Sequence, residues 1–202
     1  MKKIFVIGFN KTATCTFHHL FLINGLLSQH ATKWETDNYQ CFSDNGNLNN
    51  YQLLDKKYKD AIFILNTRSL DLWLISRFKH GIRFSQSWAY PYSAEKCETW
   101  IRERESYYLE LFEYFSDKQD RLIIVNIEKN GWLEYITTEL KFQIKYVSPK
   151  NVNETNLNDK QHQEIIQLVN TTLDKLNYDK KTILIQNQKL LQHYLTLYKH
   201  FI

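Results

Sequence analysis

The stretch "GFNKTATCTFHH", Gly8 to His19, sets one cation, Lys11, among three hydroxyls, those of Thr12, Thr14 and Thr16. It follows the apolar run "IFVI" and precedes "LFLINGLL", so a strand enters a short polar loop and leaves as a helix. A helix start offers unpaired N–H groups and a partial positive charge, and a lysine with hydroxyls beside it suits the oxygens of phosphate or sulfate. A plain turn with a threonine cap and a solvated lysine gives the same pattern, so the loop alone leaves both readings open. A second stretch, "FILNTRSLDLWLISRFKH", places Arg68 at the end of an apolar run, Ser76 eight residues on in a helical pattern and His80 four beyond. The planar fork of an arginine at a strand end can grip two phosphate oxygens. The alternative is that Arg68 pairs with Asp71 and that Ser76 faces a neighbouring turn.

The elements that would carry these residues follow from apolar rhythm. "KIFVIG" (Lys2 to Gly8), "AIFILNT" (Ala61 to Thr67) and "RLIIVNI" (Arg121 to Ile127) read as buried parallel strands. A helical pattern follows each: Leu20, Leu22, Ile23 and Leu26; Leu70, Trp73, Leu74 and Phe78; Trp132, Tyr135, Ile136 and Leu140. The alternation predicts an α/β fold, a three-layer sandwich on a central parallel sheet, in a single domain over 1–202. Glu95 to Phe115 reads as one long amphipathic helix with Trp100, Ile101, Tyr108, Leu111 and Phe115 inward. From about Asn158 the tail reads as two helices hinged at "NYDKK". In such a sheet ligands collect where strand ends meet helix starts, which is where Lys11 and Arg68 fall.

Composition narrows the classes. With 202 residues, 43% hydrophobic and 15% aromatic, the chain can bury one good core. A net charge of +4, spread along the chain, calls for no nucleic acid; a compact anion suffices as partner. Cys15, Cys41 and Cys97 form no CxxC, and the histidines at 18, 19, 30, 80, 162, 193 and 200 are scattered, so neither a disulfide framework nor a metal is expected. No run is long enough for a membrane span and the apolar start is shorter than a signal-peptide core, so a reducing, cytoplasmic setting is expected.

The ATP-type loop ends G-K-[ST], whereas Lys11 comes early and no Gly-Lys pair follows. The pattern instead resembles the 5′-phosphosulfate loop of sulfotransferases, K-[ST]-G-T-[TS] after a strand. "KTATC" matches it with Ala13 at the glycine and Cys15 at the last hydroxyl. If the backbone at residue 13 has φ > 0, alanine there is strained by about 1 kcal/mol. Arg68 and Ser76 are similar to the family's 3′-phosphate pair. "LIIVNIEKNGW" is similar to its third strand and Gly-Trp turn. The resemblance covers about Lys2 to Asn153 and implies a P-loop-like sulfotransferase fold.

It implies sulfuryl transfer from 3′-phosphoadenosine 5′-phosphosulfate (PAPS) to a hydroxyl or amine, leaving 3′,5′-ADP (PAP), without a metal. The donor would lie on Lys11, Thr12, Ala13, Thr14, Cys15, Thr16, Arg68 and Ser76, with Lys11 neutralising charge on the bridging oxygen. Cytosolic relatives place a histidine base about two dozen residues before the arginine, and that position here is Asp44, in "YQCFSDNGN". The resemblance therefore puts Asp44 in the base's role, with Glu35 as runner-up; Asp before "NGN" is also ordinary turn chemistry. The lysine that those relatives carry two residues earlier is Phe42. His80 reads as a helix-end residue. The aromatic-rich Arg83 to Ser93 suits a wall for a small-molecule, sugar or peptide acceptor, Trp34 or Trp132 the adenine, and Lys150 a late phosphate contact. Two other classes stay open: a P-loop nucleotide or small-molecule kinase, and an inactive nucleotide-binding protein that uses Leu190, Leu191, Tyr194, Leu195 and Tyr198 to bind a partner.

Overall fold

Along β1 (Ile4–Val6) side chains alternate between two apolar clusters: Ile4 and Val6 enter one, Phe5 and the following Ile7 the other. Both faces of the strand are therefore covered. The computed structural model describes residues 2–86, 91–143 and 158–202. Among these, β1 joins β2 (Ser28–His30), β3 (Cys41–Ser43), β4 (Ile62–Thr67), β5 (Leu122–Asn126) and β6 (Lys199–Phe201) in one sheet. All pairings are parallel, in the order β2-β3-β1-β4-β5-β6.

Helices α1 (Thr14–Ile23) and α5 (Trp132–Glu139) cover one face through Phe17, Leu20, Phe21, Trp132 and Ile136. The other face carries α2 (Tyr51–Lys57), α3 (Leu70–Arg83), α4 (Ala94–Phe115), α6 (Asp159–Lys175) and α7 (Gln188–Leu195). The result is the three-layer α/β sandwich that the sequence predicts. The five inward residues of α4 are all buried, and Ser93 caps its start by accepting from Lys96 N. In the tail, Leu191, Leu195 and Tyr198 are buried in the core, with Leu190 and Tyr194 packed against it. That apolar stripe packs into the core, with Tyr194 and Tyr198 against Phe112 of α4.

Four elements go beyond the sequence reading: β2, β3, α2 and β6. The tail is thus two helices followed by a sixth strand paired to β5. Among the described residues no helix is long and apolar enough to cross a membrane. All three cysteines are free thiols.

Candidate functional site

β1 is followed by α1 and then β2 on one side of it, whereas β4 is followed by helices leading to β5 on the other. The connections of these two neighbours leave in opposite directions, which opens a crevice at their C-terminal ends. The loop from Gly8 to Ala13 and the side chain of Arg68 meet there: Arg68 Nη1 donates to the carbonyl of Lys11 at 3.3 Å.

Asn66, buried on β4, holds the loop in shape. Its Oδ1 accepts from Gly8 N at 3.0 Å, while its Nδ2 donates to the Thr12 carbonyl and, at 2.7 Å, to Thr12 Oγ1. A side chain at residue 8 would collide with Asn66, since an added Cβ would lie 2.2 Å from its carbonyl oxygen. Glycine is needed for this approach. The Thr12 hydroxyl also donates to the Phe9 carbonyl, so it shapes the loop from inside.

Lys11 and Ala13 take left-handed backbone angles, φ 66° and 63°, and Thr14 then starts the right-handed helix. A left-handed residue followed by a right-handed one points successive N–H groups into a concavity that suits an anion. Among the described residues, no acceptor takes the N–H groups of Thr12, Ala13 or Thr14. Alanine thus occupies a strained position that glycine would fill freely.

Lys11 Nζ reaches His80 Nδ1 on α3 at 2.7 Å. Burial lowers the Lys11 pKa, and the Asp44 charge opposes this. Burial lowers His80 to about 4, with the Lys11 charge acting the same way, so at neutral pH the ring is uncharged and accepts from the ammonium. His80 is a partner of the loop lysine as well as a helix-end residue. Ser76 lies one turn earlier on the same side of α3, half-buried.

Asp44 comes to the same place from β3. It and Asn45 are both left-handed, φ 77° and 48°, and Gly46 lets their turn press on β1, where an added Cβ would lie 2.3 Å from Ile7 Cα. The Asp44 charge opposes the loss of charge on Lys11, His30 and His80 alike. Its Oδ2 accepts from Asn45 Nδ2 at 3.1 Å, which is the turn chemistry that "DNGN" suggests. Glu35 is exposed, accepts from Asn38 Nδ2 at 3.2 Å and has no contact with the loop among the described residues.

The sequence gives little sign of His30. On β2 its Nε2 lies 3.3 Å from Cys15 Sγ, its Nδ1 lies 3.0 Å from Ser43 Oγ, and burial lowers its pKa. His18 stands beside it on α1, ring centroids 5.6 Å apart.

Arg68 is matched by Glu128, not Asp71. Glu128 Oε1 lies 3.5 Å from Arg68 Nη2 and Oε2 accepts from Ser69 N at 2.8 Å. Asp71 instead pairs with Lys181 at 2.8 Å. The start of α3 is already occupied: Leu70 N and Asp71 N donate to the carbonyls of Thr182 and Lys180. An anion at Arg68 would therefore meet its side chain, not a row of free helix N–H groups. Among the described residues the buried Arg68 Nε has no hydrogen-bond partner.

Trp34 and Trp132 are core residues, stacked on Phe5 and packed on Phe17, and neither offers a face to a nucleotide base. Lys150 and residues 87–90 of the aromatic-rich segment lie outside the described residues. Among the described residues no three His, Cys, Asp or Glu side chains are grouped to hold a metal.

No protein-family model matches this chain, and comparison with curated proteins finds no match. What the site can do rests on its own geometry. It joins a lysine and an arginine to N–H groups that no described residue accepts from, with a carboxylate and two imidazoles alongside.

Proposed function

We propose that the chain is a sulfotransferase, moving a sulfuryl group from PAPS to a hydroxyl or amine of a small-molecule, sugar or peptide acceptor. One observation carries the reading: Arg68 Nη1 bonds the carbonyl of Lys11, so the two motif residues, far apart in sequence, share one crevice. The residues fit the donor's 5′ end, where the N–H groups of Thr12 to Thr14 and the Lys11 ammonium face an anion. They fit a 3′-phosphate once Glu128 yields Arg68 and the Ser69 N–H. The unpartnered Nε of Arg68 is one of the donors that such a phosphate would use.

In transfer, the acceptor oxygen or nitrogen bonds sulfur as the bridging sulfur–oxygen bond breaks. Lys11 offsets the charge growing on that bridging oxygen, the largest electrostatic demand of the step. Asp44 takes the acceptor's proton, a role supported by its charge favouring the protonated forms of Lys11, His30 and His80. His30 is the second group able to do so. Glu35, outside this cluster, is not retained for the role.

Thermal shift with PAP, ATP and ATP plus magnesium tests the reading. A ligand at one hundred times its dissociation constant stabilises by about 2.7 kcal/mol. PAP alone should raise the melting temperature. A shift seen only with ATP and magnesium would favour a kinase instead.

A further inference from the structure

Arg104, in the middle of α4, is only 2% exposed. Its Nη2 donates to Thr67 Oγ1 at 3.1 Å, to the Arg68 carbonyl at 2.6 Å and to the Ile183 carbonyl. The guanidinium carbon lies 5.0 Å from the Trp73 ring and 5.3 Å from that of Tyr108. Among the described residues its Nε and Nη1, both buried, have no hydrogen-bond partner.

At this end of the sheet Arg68 is matched by Glu128 and Lys181 by Asp71. Among the described residues no carboxylate is paired with Arg104. A buried, unmatched guanidinium is unfavourable, and an apolar side chain of similar volume would fill the same space without that cost. Two of its three bonds fall on the end of β4, where Arg68 leaves the sheet for the crevice, and the third ties in the tail at Ile183. In a dry interior a charge acts over several ångströms, and the effect already reaches Arg68: burial and the Arg104 charge both lower the Arg68 pKa.

We propose that Arg104 is a positioning residue for a phosphate-type oxyanion at Arg68: it fixes the Arg68 carbonyl and supplies the unmatched charge that draws a phosphate there in competition with Glu128. For nucleotides this rests on the donor reading above. For inorganic phosphate it stands alone.

The test compares wild type with Arg104→Met and Arg104→Lys in equilibrium binding of inorganic phosphate, PAP and 5′-AMP to the full chain. Arg104→Met should weaken PAP tenfold or more and 5′-AMP less than threefold, with Arg104→Lys restoring most of the difference. Equal loss for both nucleotides, or a lysine variant as impaired as the methionine one, would mean a purely structural clamp. If Arg104→Met does not fold, Arg104→Gln, which keeps an N–H donor for the Arg68 carbonyl, is judged by the same ratio. A phosphate response that depends on Arg104, with no response to either nucleotide, sustains the inference and sinks the donor reading. PAP binding that is unchanged in Arg104→Met sinks the inference alone. Silence of the wild type to every probe sinks both.

Discussion

The Lys11 ammonium is held by an uncharged ring, 2.7 Å from Nδ1 of His80. Because His80 is lowered to about 4 from an ordinary 6.5, the unfolded chain binds a proton there between those values and the folded chain does not. Stability contributed by the neutral ring is thus present above pH 6.5 and is lost as pH falls towards 4. His80→Gln removes this loss, so the melting-temperature gap between wild type and variant should narrow as pH falls through that window. A gap independent of pH would mean that the ring titrates normally.

Glu128 competes with any anion for Arg68. Arg68→Ala should weaken PAP tenfold or more, since a charge-assisted bond is worth about 1.5 to 3 kcal/mol, and leave 5′-AMP nearly unchanged. Glu128→Gln should act oppositely and tighten PAP. Titration of both variants checks the pair: weaker PAP binding in Glu128→Gln would make Glu128 a support of the site.

Ala13 at φ 63° is strained by about 1 to 2 kcal/mol, whereas glycine costs about 0.5 to 1 kcal/mol in chain entropy. The net gain of about 0 to 1.5 kcal/mol means that Ala13→Gly should raise the melting temperature by up to about 6 °C, at about 2 to 4 °C per kcal/mol for a chain of this size. Calorimetry decides. A clear fall would show that the loop relaxes around alanine.

If Asp44 is the base, Asp44→Asn should slow transfer by about 10² to 10⁴-fold with PAP still bound. Glu35→Gln should leave transfer intact. Should Asp44→Asn keep full rate while His30→Gln loses it, the proton goes to the imidazole. Initial rates with any accepted substrate make the distinction.

What the sequence revealed follows from burial. "IFVI", "AIFILNT" and "RLIIVNI" sit centrally in the sheet, buried on both faces, and announce themselves as β1, β4 and β5. β2 reads "SQH" and β6 "KHF", three residues each at the sheet edges, where one-sided contact leaves no apolar run. Loop and arginine were legible because their chemistry is local. His30, Glu128 and Arg104 were not, since each acts on a partner that only the sheet order brings near. One signal was available: Asn66 is a polar residue at the end of an otherwise apolar strand, and such a residue needs a buried partner.

All the strand pairings are parallel, so none can close as a hairpin and each must wait for a long crossover. That places the cost of loop closure ahead of the contacts that offset it, and folding in the slow range of milliseconds to seconds is expected. The loop around Ala13 takes its shape only after β4 has docked beside β1 and delivered Asn66, which makes its strain a late event. Relieving it should leave the refolding rate nearly unchanged and slow unfolding instead, so this loop acts on how long the folded state lasts more than on how fast it forms.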